Sequence, residues 1–172
     1  MTQNFILNKL PELETNQRIA ADYADMDVSS MQTLLPFLLT SKMISSAYSQ
    51  FFATYDLSDG KFAVLAVLDE RPHKNYAPSE LADKIGVTRA AVTNIVDGLV
   101  QAGLIERQNG ITDRRMQVIA LTEAGHQLLE RLMPDHYRRT AQLFTNITQI
   151  ERQLLRALLE KLTGGLDALK VK

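Results

Sequence analysis

The stretch that decides the fold runs from Ala77 to Gly125: APSELADKIGVTRAAVTNIVDGLVQAGLIERQNGITDRRMQVIALTEAG. Its first eight helical positions, Pro78 to Ile85, place Leu81, Ala82 and Ile85 on one face of a short amphipathic helix. Gly86-Val87-Thr88 reads as a turn. Glycine tolerates positive φ, and the Thr88 hydroxyl suits the cap of a following helix. That second helix is expected from Arg89 to Gln101, with Val92, Ile95, Val96, Leu99 and Val100 at helical spacing and Gly103 just past its end. Two helices joined through a tight glycine turn form a helix-turn-helix pattern.

The residues after Gly103 narrow that pattern. Leu104 to Arg107 reads as a strand, Gln108-Asn109-Gly110 to Thr112 as a polar tip, and Gln117 to Thr122 as a returning strand rich in β-branched residues. This is a hairpin, or wing, placed directly after the second helix, with Asp113-Arg114-Arg115 on its descending arm.

The run DRRMQVIALTEAG, preceded by GLIER and by the helix VTRAAVTNIVDGLVQAG, resembles the multiple-antibiotic-resistance regulator (MarR) family of bacterial transcription regulators. The resemblance covers roughly Leu34 to Leu162 and is strongest from Ser79 to Gly125. It implies a mainly α fold with a small β-hairpin wing, in which a winged helix-turn-helix is flanked by N- and C-terminal dimerisation helices. It further implies a homodimer on a pseudo-palindromic operator of double-stranded DNA, with half-sites about one turn (roughly 10 bp) apart.

Composition fits this frame without proving it. The 172 residues are 45% apolar and 23% charged, ordinary values for a globular chain. No apolar run is long enough to span a membrane, and no secretion signal is visible at the N-terminus, so a cytoplasmic protein is expected. Cysteine is absent, which excludes disulfides, thiolate metal sites and thiol redox switching. The net charge of −1 does not advertise a nucleic-acid binder. Lys84, Arg89, Arg107, Arg114 and Arg115 are nearly balanced by Asp83, Asp97, Glu106 and Asp113. DNA binding must therefore depend on where the charges point.

The flanking segments suit dimerisation. Met1 to Asp27 has a helical patch near Asn16 to Tyr23 and reads as an arm. Leu34 to Tyr55 reads as a long helix with Pro36 in its first turn and an apolar stripe wider than one face requires. Ser58 is expected to cap a helix from Asp59 to Leu68, and Asp69 to Tyr76 to form a polar loop. Thr122 suits the cap of a helix reaching about Phe144, with a kink or break at Pro134. Thr148 and Glu151 spell a capping box ahead of a last helix, Ile150 to Leu162. The expected division is 1–56 for the arm and dimerisation helix, 57–122 for the DNA-binding lobe, and 123–172 for the C-terminal dimerisation helices.

On the second helix of the motif, Arg89, Ala90, Thr93, Asn94 and Asp97 share the face opposite Val92, Val96 and Leu99. Arginine can grip guanine or phosphate, asparagine can pair with adenine, and threonine can meet a thymine methyl or a phosphate. Ala90 permits close approach. Asp97 is expected to lie past the groove or to orient a neighbour. Thr88 joins the set as the cap, and Ser79 as a phosphate contact or a capping residue. On the wing, Arg115 is the expected minor-groove residue, where a narrow groove concentrates negative potential. Asp113 would orient it, as the Asp-x-Arg pair does in the resembled family, and Arg114 would face phosphate. The competing explanations are a solvated polar face and a surface salt bridge of little worth.

His73, His126 and His136 form no pair at metal-ligand spacing, and no catalytic or phosphate-binding motif is present. The chain is expected to be neither an enzyme nor a cofactor carrier. Many members of the resembled family release DNA when a small aromatic or phenolic acid wedges between the dimer helices and the lobe. Here Phe37, Tyr48, Phe51 and Phe62 would supply an apolar wall, and Arg18, Ser41 or Ser45 a polar anchor. For any one of those aromatics, core and dimer packing is the stronger explanation. The expected function is a ligand-responsive repressor. The alternative is a winged-helix module for architecture or protein contact, with no effector.

Overall fold

The computed structural model describes residues 13–70, 76–109 and 117–170. Among them the chain runs α1 (Leu13–Asp22), α2 (Val28–Ala53), α3 (Asp59–Glu70), α4 (Pro78–Ile85), α5 (Arg89–Gln101), β1 (Ile105–Asn109), β2 (Gln117–Leu121), α6 (Glu123–Leu143) and α7 (Gln149–Gly164), with a closing 3-10 turn at Leu166–Leu169. This is the mainly helical fold with a two-stranded antiparallel wing that the sequence implies.

The motif forms as read. Gly86 ends α4 at φ +70°, and its neighbour Thr88 caps α5, its Oγ1 accepting the Ala91 amide at 3.2 Å. Past α5, Gly103 turns left-handed at φ +71° while the Leu104 amide reaches back to the Leu99 carbonyl at 3.0 Å. That closure swings the chain straight into β1, which pairs with β2 from Ile105↔Leu121 to Asn109↔Gln117. Strand β1 starts one residue later than expected and ends two residues later, taking Gln108 and Asn109 from the expected tip, and Thr122 belongs to the cap of α6 rather than to β2.

The core lies between the motif and the helices on either side of it. Leu81 from α4, Val92, Val96 and Leu99 from α5, Val64, Leu65 and Leu68 from α3, and Ile105 and Ile119 from the wing are buried together. Each such side chain contributes about 1.5–3 kcal/mol on leaving water. Phe51 and Phe52 enter this core from the end of α2, and Leu128, Leu129 and Leu132 from the start of α6.

Four expectations are corrected. The long helix starts at Val28, not Leu34, because Asp27 caps it: Oδ1 accepts the Ser29 amide at 2.9 Å and Oδ2 accepts the Ser30 hydroxyl at 2.7 Å. The Ser30 hydroxyl, with the Ser30 and Ser29 amides, holds the Asp27 carboxyl below its ordinary range. Pro36 therefore sits inside α2 rather than in its first turn. At Pro134 the expected break is absent, since α6 continues to Leu143. The segment expected as a polar loop after Leu68 also shrinks. Helix α3 reaches Glu70, and Tyr76 is fully buried, its carbonyl accepting the Ile119 amide at 2.9 Å as a third rung beside the wing. Residues 71–75 lie outside the described residues. The caps at Ser58 and at Thr148 with Glu151 stand as expected, Ser58 Oγ accepting the Lys61 amide at 3.3 Å and Glu151 Oε2 the Thr148 amide at 2.7 Å.

Candidate nucleic-acid interface and ligand groove

Helix α5 divides cleanly. Val92, Val96 and Leu99 are buried, while Arg89, Ala90, Thr93, Asn94 and Asp97 are exposed on the other side. The exposed set starts at the helix N-terminus, where backbone amides point outward and carry partial positive charge. Thr93 Oγ1 donates to the Arg89 carbonyl at 2.9 Å, which turns its methyl group away from that bond. Thr88 is exposed but commits its oxygen to the cap.

Ser79 is exposed in the first turn of α4 and caps nothing. The N-cap is Ala77, whose amide donates to Glu80 Oε2 at 2.8 Å, and Pro78 fills the first helical position. The capping role considered for Ser79 is thereby removed, and its hydroxyl faces outward.

Asp97 is tied to the wing. Arg107 Nη2, on β1, donates to Asp97 Oδ1, and the two form an ion pair. The expectation that Asp97 orients a neighbour is met by a residue that sequence spacing does not select. Asp113, Arg114 and Arg115, the basic arm of the wing, lie outside the described residues.

The base of the wing is held by a relay at Thr122. Its Oγ1 donates to the Gly103 carbonyl at 2.6 Å and accepts the Gly125 amide at 3.2 Å, so one hydroxyl joins the end of α5 to the start of α6. The Thr122 amide donates to the Leu104 carbonyl at 3.1 Å. Gly125 packs on that same carbonyl: a Cβ at this position would stand 2.1 Å from the Leu104 oxygen. The Leu-Thr-Glu-Ala-Gly run thus encodes a joint.

A second feature opens between α2, α3 and α6. It is an open groove of about 360 Å³ lined by Ser45, Tyr48, Phe52, Asp59, Phe62 and His136. Phe52 and Phe62 stack with ring centroids 4.0 Å apart, and the His136 ring lies 5.2 Å from Phe62, 5.4 Å from Tyr48 and 5.9 Å from Phe52. Thr140 donates its hydroxyl to the His136 carbonyl at 2.8 Å, which leaves Tyr48 to donate to Thr140 Oγ1 at 2.6 Å. Burial pushes the His136 imidazole below its ordinary value, and its Nδ1 is buried without a hydrogen-bond partner.

Of the residues expected to form a ligand site, Ser45, Tyr48 and Phe62 are brought together here. Phe51 lies behind them in the core, edge-on to Tyr55, with the Arg139 guanidinium 4.9 Å over its ring. Arg18, Phe37 and Ser41 are exposed and do not line the groove. Phe52, Asp59 and His136 complete it instead. His136 had a signal: Leu128, Leu132, His136 and Thr140 recur every four residues, which places all four on one helix face.

The folded features are those of a winged helix-turn-helix regulator, and comparison with known proteins fixes the family. The MarR family profile matches residues 55–116. The HTH-type transcriptional repressor YetL of Bacillus subtilis is 30% identical over 164 residues, covering 95% of this chain and 98% of YetL. The HTH-type transcriptional regulator PapX of Escherichia coli is 32% identical over 122 residues, 71% of this chain and 74% of PapX. The crystal structure of the Staphylococcus aureus MepR–DNA complex superposes with a TM-score of 0.69 at 20% identity, over 77% of this chain and 94% of that one. That last likeness is one of fold. The chain belongs to the MarR family of transcriptional regulators, which are not enzymes. Among the described residues no helix is long and apolar enough to cross a membrane.

Proposed function

We propose that this chain is a homodimeric, sequence-specific repressor that binds a pseudo-palindromic operator in double-stranded DNA and is released by a small aromatic ligand. The observation that carries the DNA reading is the exposed face of α5, where Arg89, Ala90, Thr93 and Asn94 stand clear of the core in the first turns of the helix. These are side chains and a position suited to base edges in the major groove. Arg114 and Arg115 serve phosphate and minor groove, with Asp113 orienting Arg115. Ser79 and Thr88 flank the helix as phosphate contacts. YetL, named a repressor, lends the direction of regulation.

Self-association is supported by what α7 leaves uncovered. None of its residues is buried, and Ile150, Leu154 and Leu158 are 78%, 57% and 51% exposed. On α2, Met43 is 63% exposed. Apolar surface of this extent on two long helices calls for a partner. A second copy, related by a two-fold axis, presents two α5 helices to one face of the duplex. In this reading 57–122 is the DNA-binding lobe and 1–56 and 123–172 carry the dimer contacts, although the lobe's core also takes Phe51, Phe52, Leu128, Leu129 and Leu132 from across both borders.

The groove supports the effector part of the proposal. It supplies an aromatic wall between the lobe and the long helices, and a ligand there shifts the population toward a spacing that no longer fits adjacent major grooves. The test is a fluorescence-anisotropy titration against DNA flanking the chain's own gene, with and without a panel of aromatic compounds. Tight, salt-sensitive binding reversed by a panel member is the expected result. Tight binding reversed by none discards the effector. No binding at any salt discards the regulator and favours a protein-interaction module.

A further inference from the structure

We infer that the groove between α2, α3 and α6 selects an aromatic cation rather than an aromatic acid, with Asp59 as the charge-selecting residue. The inference rests on the proposed effector role and adds the chemical class of the ligand.

The lining decides the sign. Of its six residues, Tyr48, Phe52, Phe62 and His136 are rings packed against one another, Ser45 offers a hydroxyl, and Asp59 alone carries a formal charge. Ring faces bear negative electrostatic potential and attract cations held within about 6 Å. Asp59 is the first residue of α3, a position at the positive end of a helix that suits a carboxylate. Its Oδ2 accepts the Ser49 hydroxyl at 2.6 Å, which fixes the group in place on the α2 side.

Several described groups that could hold an anion are directed elsewhere. Two of the first amides of α3, those of Lys61 and Phe62, donate to Ser58. The Lys61 side chain runs toward α5, its Cε passing within 3.4 Å of where a Cβ on Gly98 would lie. Arg139, on α6, pairs with Asp135 and covers the Phe51 ring. Arg138 pairs with the same carboxylate. His136 presents a neutral ring, because a second proton would charge a group whose Nδ1 finds no acceptor. Among the described lining residues an aromatic carboxylate entering here meets Asp59 and no guanidinium or ammonium. A trimethylammonium group meets Asp59 and the aromatic rings beside it.

The experiment compares phenyltrimethylammonium with benzoate by calorimetric titration of the full-length protein, in the wild type and in Asp59→Asn. The amide keeps the side chain's shape and can still accept from Ser49. The cation is expected to bind about fivefold tighter than benzoate, the order that a solvent-exposed cation–π contact and a nearby charge supply together. Asp59→Asn is expected to erase that preference while its thermal melt stays close to wild type. Equal affinities, tighter benzoate binding or an unchanged preference in Asp59→Asn overturns the inference, as does a groove that takes neither probe. The same samples titrated in the presence of operator DNA separate this inference from the effector reading. Asp59-dependent cation binding that leaves DNA bound supports the charge assignment and overturns the effector role.

Discussion

Arg107 on the first wing strand and Asp97 on the exposed face of helix α5 form an ion pair that spans the angle between helix and wing. Both residues are exposed, so the pair adds at most about 1 kcal/mol to stability. Its larger effect is on charge: it withdraws one guanidinium from the phosphates and sets one carboxylate beside it. Asp97→Asn is expected to leave the urea midpoint nearly unchanged while releasing Arg107 toward DNA. The slope of log affinity against log salt should then steepen by about one unit. An unchanged slope would show that Arg107 never reaches phosphate.

Arg89 and Asn94 present their side chains on the exposed face of α5. Replacing either with alanine is expected to weaken operator binding by about 1–3 kcal/mol and to relax specificity at one base position, with the fold intact. Arg115→Ala should cost more than about 1 kcal/mol of operator affinity with the dimer still folded. Anisotropy titrations against the operator and a scrambled duplex check all three, and equal losses on both duplexes would reassign Arg89 or Asn94 to phosphate.

Gly125 has no room for a side chain, because a Cβ would stand 2.1 Å from the Leu104 carbonyl oxygen. That oxygen already accepts the Thr122 amide and cannot retreat without losing the bond. Gly125→Ala is expected to destabilise the chain by about 2 kcal/mol or more, of the order seen for overpacked sites. Urea denaturation measures it, and a cost within about 0.5 kcal/mol of zero would show that the joint relaxes freely.

Burial holds the His136 imidazole below its ordinary value of 6.5. Above that value the ring is neutral in both folded and unfolded chains, and His136 adds no pH dependence. As the pH falls below 6.5, the unfolded chain takes up the proton first, so stability declines until the pH passes the folded value and then levels. His136→Phe is expected to flatten this part of the stability profile, measured by denaturation between about pH 5 and 7, the range in which histidine titrates. An identical slope in the variant would place the titration on another group.

Much of this fold is legible in the chain. Gly86, Thr88, Gly103 and Thr122 mark the turn and helix ends because each residue type suits one backbone position, and local chemistry of that kind survives folding unchanged. Local pattern misleads elsewhere. Tyr76 reads as part of a polar loop until the backbone of Ile119 captures it. Val28 to Thr33 lacks an apolar stripe, yet Asp27 caps a helix there. Pro134 breaks helices in isolation, but the residues on both sides of it remain helical here. The groove is half visible in the sequence, since Tyr48 and Phe62 stand out as aromatics. Asp59 and His136 gain meaning only when α2, α3 and α6 are brought side by side. Nothing in the spacing of Asp97 and Arg107 announces their pairing.

The core's reach into α2 and α6 has a mechanical consequence. Leu128, Leu129 and Leu132 anchor α6 in the lobe, and Phe51 and Phe52 anchor the last turn of α2, whose remaining turns carry no buried residue. Helix α2, at 26 residues, is a rod of about 39 Å, so a tilt of about 5° at its rooted end carries the far end about 3 Å. Tyr48 and Thr140 clasp the two rods near the aromatic groove. A ligand in the proposed groove would thus act at the fulcrum, and the lever length would convert a small local shift into a larger displacement at the far end.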